Sequence, residues 1–169
     1  MEEELIKGGL PVSEVQRLCD VHVGAFREAL EQHEDVQVPP GHPVHTYMEG
    51  NKRITELANR LGELASAPSQ EELIQATQVV EQLGGIENHY QRKENQVFAI
   101  LERHGVTGPS QVMWGVHDEI RGRLETVRQA ISSSDLETFA AEGPALARDL
   151  VEMVYKEEKI LFPLALQTF

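Results

Sequence analysis

His89–Leu101 reads HYQRKENQVFAIL, and Met153–Ala165 reads MVYKEEKILFPLA. The two segments align at an offset of 64 residues, which puts Phe98 on Phe162, Val97 on Leu161, Glu94 on Glu158 and Arg92 on Lys156. Each couples charged residues to an apolar-aromatic step, the pattern of a duplicated helical hairpin. At about 100° per residue, Lys93 and Glu157 fall inside the apolar stripes of their helices, and Glu94 and Glu158 at the stripe edges. Charged groups at matching places on two bundle helices either surround a metal or simply end a helix bundle.

The chain has 169 residues, enough for one well-buried domain with a small appendage. Its 40% hydrophobic and 5% aromatic content suits a bundle built from Leu, Ile, Val and Ala. A net charge of −13 and a pI near 4.9 repel polyanions, and no basic stripe is visible, so nucleic acid is not expected as a partner. No apolar run approaches the roughly 20 residues of a membrane span. The opening MEEELIKGG lacks the basic-then-apolar order of a signal peptide. Cys19 is the single cysteine, which rules out an internal disulfide. A soluble, cytoplasmic protein is expected.

Working along the chain, Gly8-Gly9 ends a short first segment, and Ser13 is a natural cap for a helix over Glu14–Gln32. Pro39-Pro40-Gly41 is a hard break. His42-Pro43 then begins a helix running to about Ala65, with Tyr47, Ile54, Ala58, Leu61 and Ala65 as its apolar stripe. Ser69 caps the next, which reaches His104 with a kink at Gly84-Gly85. A further helix covers about Pro109–Ile131. The last starts near Asp135 and ends near Leu166, with a kink or restart at Gly143-Pro144. Short connections imply antiparallel neighbours. The reading is all-α: an up-down-up-down four-helix bundle with an additional N-terminal helix. Residues 1–38 form the N-terminal segment and 39–169 the bundle.

Several helices direct imidazole or carboxylate towards one interior level. Antiparallel pairing puts His45 near the level of His89 and Tyr90, to within a turn. His117 lies just off the stripe of Met113, Ile120, Leu124, Val127 and Ile131. Neutral imidazole with carboxylate suits iron, zinc or manganese. A second spacing, Cys19-x-x-His22 followed by His42-x-x-His45, also has the residue types that zinc or iron accepts.

HYQRKEN, HDEIR at 117–121 and KEEKILFP at 156–163 resemble the hemerythrin-like family of cation-binding bundles over about residues 42–166. LCDVH at 18–22 and GHPVHTY at 41–47 are similar to a bacterial subgroup in which an upstream domain of unknown function precedes the bundle, often with a PAS sensory domain after it. The resemblance implies non-haem iron, often as a pair, used to bind or sense oxygen, nitric oxide or redox state. It makes His89 and His117 nitrogen ligands and Glu157 a carboxylate ligand. Three positions depart from the family pattern, and Gly50 stands where the subgroup implies an acidic residue. Asn51 and Met153 stand where histidines are implied, and Lys93 stands where a bridging carboxylate is implied.

Two readings follow. In one, the bundle holds mononuclear or dinuclear iron, with zinc as the other metal the donors suit, and serves as a sensor rather than an enzyme. Its ligands come from His22, His42, His45, His89, Glu94, His117, Glu157 and Glu158, with His42 and His45 replacing the missing histidines. In the other, Lys93 pairs with Glu157 in place of a metal and the bundle is a regulatory interaction module. An exposed apolar helix face would support a homodimer or another protein partner. An enzyme is not expected: the chain carries no nucleophile-and-base motif, phosphate loop or dinucleotide fingerprint.

Overall fold

Buried residues recur every three or four positions from Tyr47 to Ala65, which makes one face of a helix apolar and leaves the other to charged residues. That helix, α1 (Pro43–Ser66), begins where expected, and the Nδ1 of His42 accepts the Val44 N–H as its cap. The computed structural model describes residues 36–168 and, upstream, Pro11, Glu14, Val21, Ala25, Arg27 and Glu31. After α1 come α2 (Gln70–Leu83), α3 (Ile86–Arg92), a π-helical segment (Lys93–Phe98) and α4 (Ala99–Arg103). They are followed by α5 (Gly108–Ser133), α6 (Leu136–Lys156), a second π-helical segment (Glu157–Leu161) and α7 (Phe162–Thr168). No strand occurs among the described residues. No helix there is long and apolar enough to cross a membrane.

These pieces make four rods: α1, α2 to α4, α5, and α6 to α7. Contacts of α1 with α2, α2 with α5, α5 with α6 and α6 with α1 close a ring around one apolar core. This is the expected up-down-up-down bundle. Gly84 and Gly85 keep right-handed dihedrals, and the Gly84 N–H still reaches the Val80 carbonyl at 3.0 Å, so the second rod bends without stopping. Ser69 and Asp135 cap α2 and α6 as expected. His104 ends α4, its ring bonded to the Ile100 carbonyl at 2.9 Å. Of the N-terminal segment, Arg27 grips Glu152 on α6 through bonds of 2.7 and 2.8 Å and lies 4.5 Å over the Tyr155 ring.

At Gly143-Pro144 the helix does not restart; α6 runs through both residues. The glycine has a packing reason. A Cβ on Gly143 would lie 2.5 Å from the Cβ of Ala65, so the missing side chain lets α6 approach α1. Gly143→Ala should therefore destabilise the protein by about 1–3 kcal/mol, although alanine is the better helix former. Adding Ala65→Gly should recover much of that loss. Urea unfolding midpoints check both, and a stabilised single variant would contradict the close approach.

Candidate metal centre

The two π-helical segments begin at Lys93 and Glu157, the residues that the 64-residue offset superposes. A π turn holds one more residue than an α turn, so neighbouring positions can face the same way. In the first segment Lys93 and Glu94 are both buried, as are Val97 and Phe98. In the second, Glu157 is buried and Glu158 half-buried, with Leu161 and Phe162 buried beyond. The repeat in sequence is thus a repeat in backbone geometry. It brings two short runs of charge to one level of the core.

Lys93 and Glu157 are each 0% exposed. The Lys93 ammonium bonds the Oε1 of Glu157 and lies 4.6 Å over the Tyr90 ring. The other Glu157 oxygen, Oε2, meets the Nε2 of His89 at 3.0 Å. Burial drives the Lys93 pKa below its ordinary value, with Glu157 opposing the change. For Glu157 burial pushes up, but the Lys93 charge and His89 outweigh it and hold the carboxyl low. The carboxyl therefore stays ionised between its two partners.

His117 forms the other half. It is 0% exposed, its ring stacked 4.0 Å from Tyr90 and 5.8 Å from Phe98, nearly parallel to both. Its Nδ1 lies 2.7 Å from Glu94 Oε1. A carboxylate only accepts, so Nδ1 carries the proton and Nε2 keeps its lone pair. That Nε2 is buried and has no hydrogen-bond partner among the described residues. Arg121 completes the support, with its Nε on Glu87 at 2.8 Å and an Nη on Glu94 at 3.2 Å. Burial, then the charges of Lys93 and Arg121, push the His117 pKa far below its ordinary value.

His89, His117, Glu94 and Glu157 are therefore brought into the core, but in two pairs. Among the described residues no three histidine, cysteine or acidic side chains already converge as a metal cluster. Glu94, expected as a ligand, is engaged by His117 and Arg121 and acts as the support behind the imidazole. Glu158, also expected as a ligand, accepts from Asn51 Nδ2 at 3.2 Å. His42 and His45 do not replace the missing histidine. At about 1.5 Å per residue they lie roughly 13 and 9 Å along α1 from Asn51. His42 is moreover engaged as the helix cap. Tyr47, rather than His45, packs on His89, with ring centroids 5.4 Å apart. His22 and Cys19 lie outside the described residues. The sequence reading missed Arg121 and Tyr90 as site residues; the four-residue step from His117 to Arg121 was the available signal for the first.

Two outcomes follow for the metal-free protein. Lys93→Met strands the Glu157 charge and should cost about 3–5 kcal/mol in unfolding free energy, while Lys93→Met with Glu157→Leu should lie much nearer wild type. A single variant as stable as wild type would argue against the pair. His117 resists protonation when folded but binds a proton near pH 6.5 when unfolded. The unfolded state then holds more protons, so stability falls as pH drops through that value. The loss from His117 is about 2 kcal/mol between pH 7 and 5. Comparison with His117→Phe isolates this contribution, which should be missing from the variant's pH profile.

In comparison with known families, residues 1–32 match a family of unknown function, DUF438. No curated protein matched the chain. Residues 42–165, most of the chain and all of the four rods but the end of the last, match the hemerythrin HHE cation-binding domain. The ring of four antiparallel rods and the histidine and carboxylate pairs at one core level agree with that match. The chain belongs to the hemerythrin HHE cation-binding domain family.

Proposed function

We propose that this domain binds one metal cation, non-haem iron, and acts as a sensor of oxygen, nitric oxide or redox state rather than as an enzyme. The observation that carries this reading is His117. Its Nδ1–H is given to Glu94 while its buried Nε2 keeps an unpartnered lone pair. A histidine that donates one ring N–H to a carboxylate is in the state that metal ligation requires.

The residues fit one cation and do not fit a pair. Lys93 places an ammonium at the position where the family resemblance implies a bridging carboxylate, and it takes Oε1 of Glu157. A second metal beside it would face a buried positive charge. What remains is His89, His117 and Glu157. Between His89 Nε2 and Glu157 Oε2 lies a proton that a cation would replace. Two imidazoles and one carboxylate leave positions open and suit non-haem Fe(II), which supplies a redox-active centre for a small gas.

The chain's own residues define how such a site behaves. Glu94 and Arg121 hold the proton on His117 Nδ1 and fix the ring's tautomer. Tyr90 and Phe98 cover the faces of that ring and exclude water from it. Lys93 neutralises Glu157 and keeps one of its oxygens out of reach. A second reading is favoured by the same ion pair: Lys93 and Glu157 satisfy each other, and the bundle then works as a metal-independent interaction module.

Metal analysis of protein purified without an affinity tag and loaded anaerobically with Fe(II) should find about one iron per chain, and about none in His89→Ala/His117→Ala. Two irons per chain would overturn the single-cation reading. No metal in wild type would leave the ion-pair module as the function, and undiminished metal in the double variant would overturn the ligand assignment.

A further inference from the structure

A cleft of about 210 Å³ opens beside the site, between α1 and the bend that joins α2 to α3. Ile54 and Leu57 on α1, with Leu83 and Ile86 opposite, make its walls apolar. Gly50 and His89 lie together at one end. A Cβ on Gly50 would sit 3.0 Å from the His89 Nδ1, so the missing side chain leaves that nitrogen uncovered. Across the cleft Arg53 reaches Gln82, while its guanidinium also pairs with Glu56 at 2.9 Å.

The two histidines of the site differ here. His117 gives its Nδ1–H to Glu94, a fixed group of the protein. His89 uses Nε2 on Glu157, and among the described residues its Nδ1 has no hydrogen-bond partner. The supporting position behind one histidine is filled by a carboxylate, and the position behind the other faces the cleft.

We propose that the cleft is a binding site for a short, uncharged aliphatic alcohol whose hydroxyl bonds His89 Nδ1. The apolar walls select against ions of either sign, and an anion is further disfavoured because Arg53 is already committed to Glu56 and Gln82 and the chain carries a net charge of −13. Hydrogen bonding selects a hydroxyl, because it both donates and accepts. While the neutral ring gives its Nε2–H to Glu157, Nδ1 is a bare acceptor and receives the hydroxyl proton. With Nε2 on a metal, Nδ1 carries the proton and donates it to the hydroxyl oxygen. The same ligand therefore fits both states. Only the consequence rests on the metal reading: a partner accepting from Nδ1–H makes Nε2 the stronger ligand and links cleft occupancy to metal affinity.

The test is a titration of the metal-free and Fe(II)-loaded protein with 1-pentanol. In the metal-free protein the ring-nitrogen resonances of His89 are followed by NMR with ¹⁵N-histidine labelling, and in the loaded protein the iron affinity is measured. A saturable shift of Nδ1 is expected, with no such shift from pentanoate. Leu57→Trp, which fills the cleft, and Gly50→Ala, which covers Nδ1 with one methyl, should each weaken the 1-pentanol response about tenfold or more. Circular dichroism identifies any variant that fails to fold, and the other then decides. A response that does not saturate, an equal response to pentanoate, or unchanged affinity in the folded variant would overturn the proposal. Saturable binding to a protein that takes up no iron would keep the cleft and remove the metal reading. Iron binding without a 1-pentanol response would do the reverse.

Discussion

The ion pair between Lys93 and Glu157 is the constraint on which the rest of the structure depends. Burying two charges costs several kcal/mol each after relaxation, and close geometry with further partners is needed to offset it. Both conditions are met. Glu157 has the ammonium on one oxygen and His89 on the other, and the ammonium also lies over the Tyr90 ring. The pair joins the second rod to the fourth at a single level, since a slip of one helical turn would strand both charges. That level is where both π-helical segments begin, and where α1 presents Asn51 to Glu158.

Charge balance at this level sets the chemistry available there. Lys93 and the partly exposed Arg121 are positive, and Glu94 and Glu157 negative, so each buried carboxylate of the site faces a positive partner. A metal cation at this level needs a bare ring nitrogen from each imidazole. On His89 the Nε2 proton that faces Glu157 has to move to Nδ1, so metal uptake is coupled to a change of tautomer. The two imidazoles meet this demand differently. His117 is already in the ligating tautomer, whereas His89 must give up its Nε2 proton first and then looks to the cleft for a partner on Nδ1.

Much of the fold was legible because each of its signals is local. Proline, serine and aspartate mark the helix starts, and the apolar stripes have the helical period. Lys93 and Glu157 were readable as stripe residues and are fully buried. Glu94 was placed at the stripe edge by assuming an ideal α-helix, and the π turn carried it inward onto His117. A bulge of this kind leaves no residue signature of its own, although two segments whose consecutive residues are both buried hint at it. His45 was set beside His89 by counting from a loop, and the actual neighbours are Tyr47 and Gly50. Gly143-Pro144 read as a breaker because glycine and proline are poor helix formers. The close approach to Ala65 that favours the glycine is a tertiary fact, and no single helix records it.

The duplication makes the substitution at Lys93 more informative than a lost ligand would be. Two repeats of one hairpin put residues 93 and 157 at equivalent places on facing rods, both within π-helical turns. Carboxylates at both places would repel each other in a low-dielectric core, and only added cations between them would keep both ionised. With lysine at one place and glutamate at the other, the repeats neutralise each other without help. One sign change thus removes the electrostatic demand for a second cation. It leaves untouched the bare Nε2 of His117, which is held by Glu94 outside the pair. A core that has satisfied half of its charge internally, and kept an unpartnered imidazole nitrogen in the other half, is what the proposal of a single metal rests on.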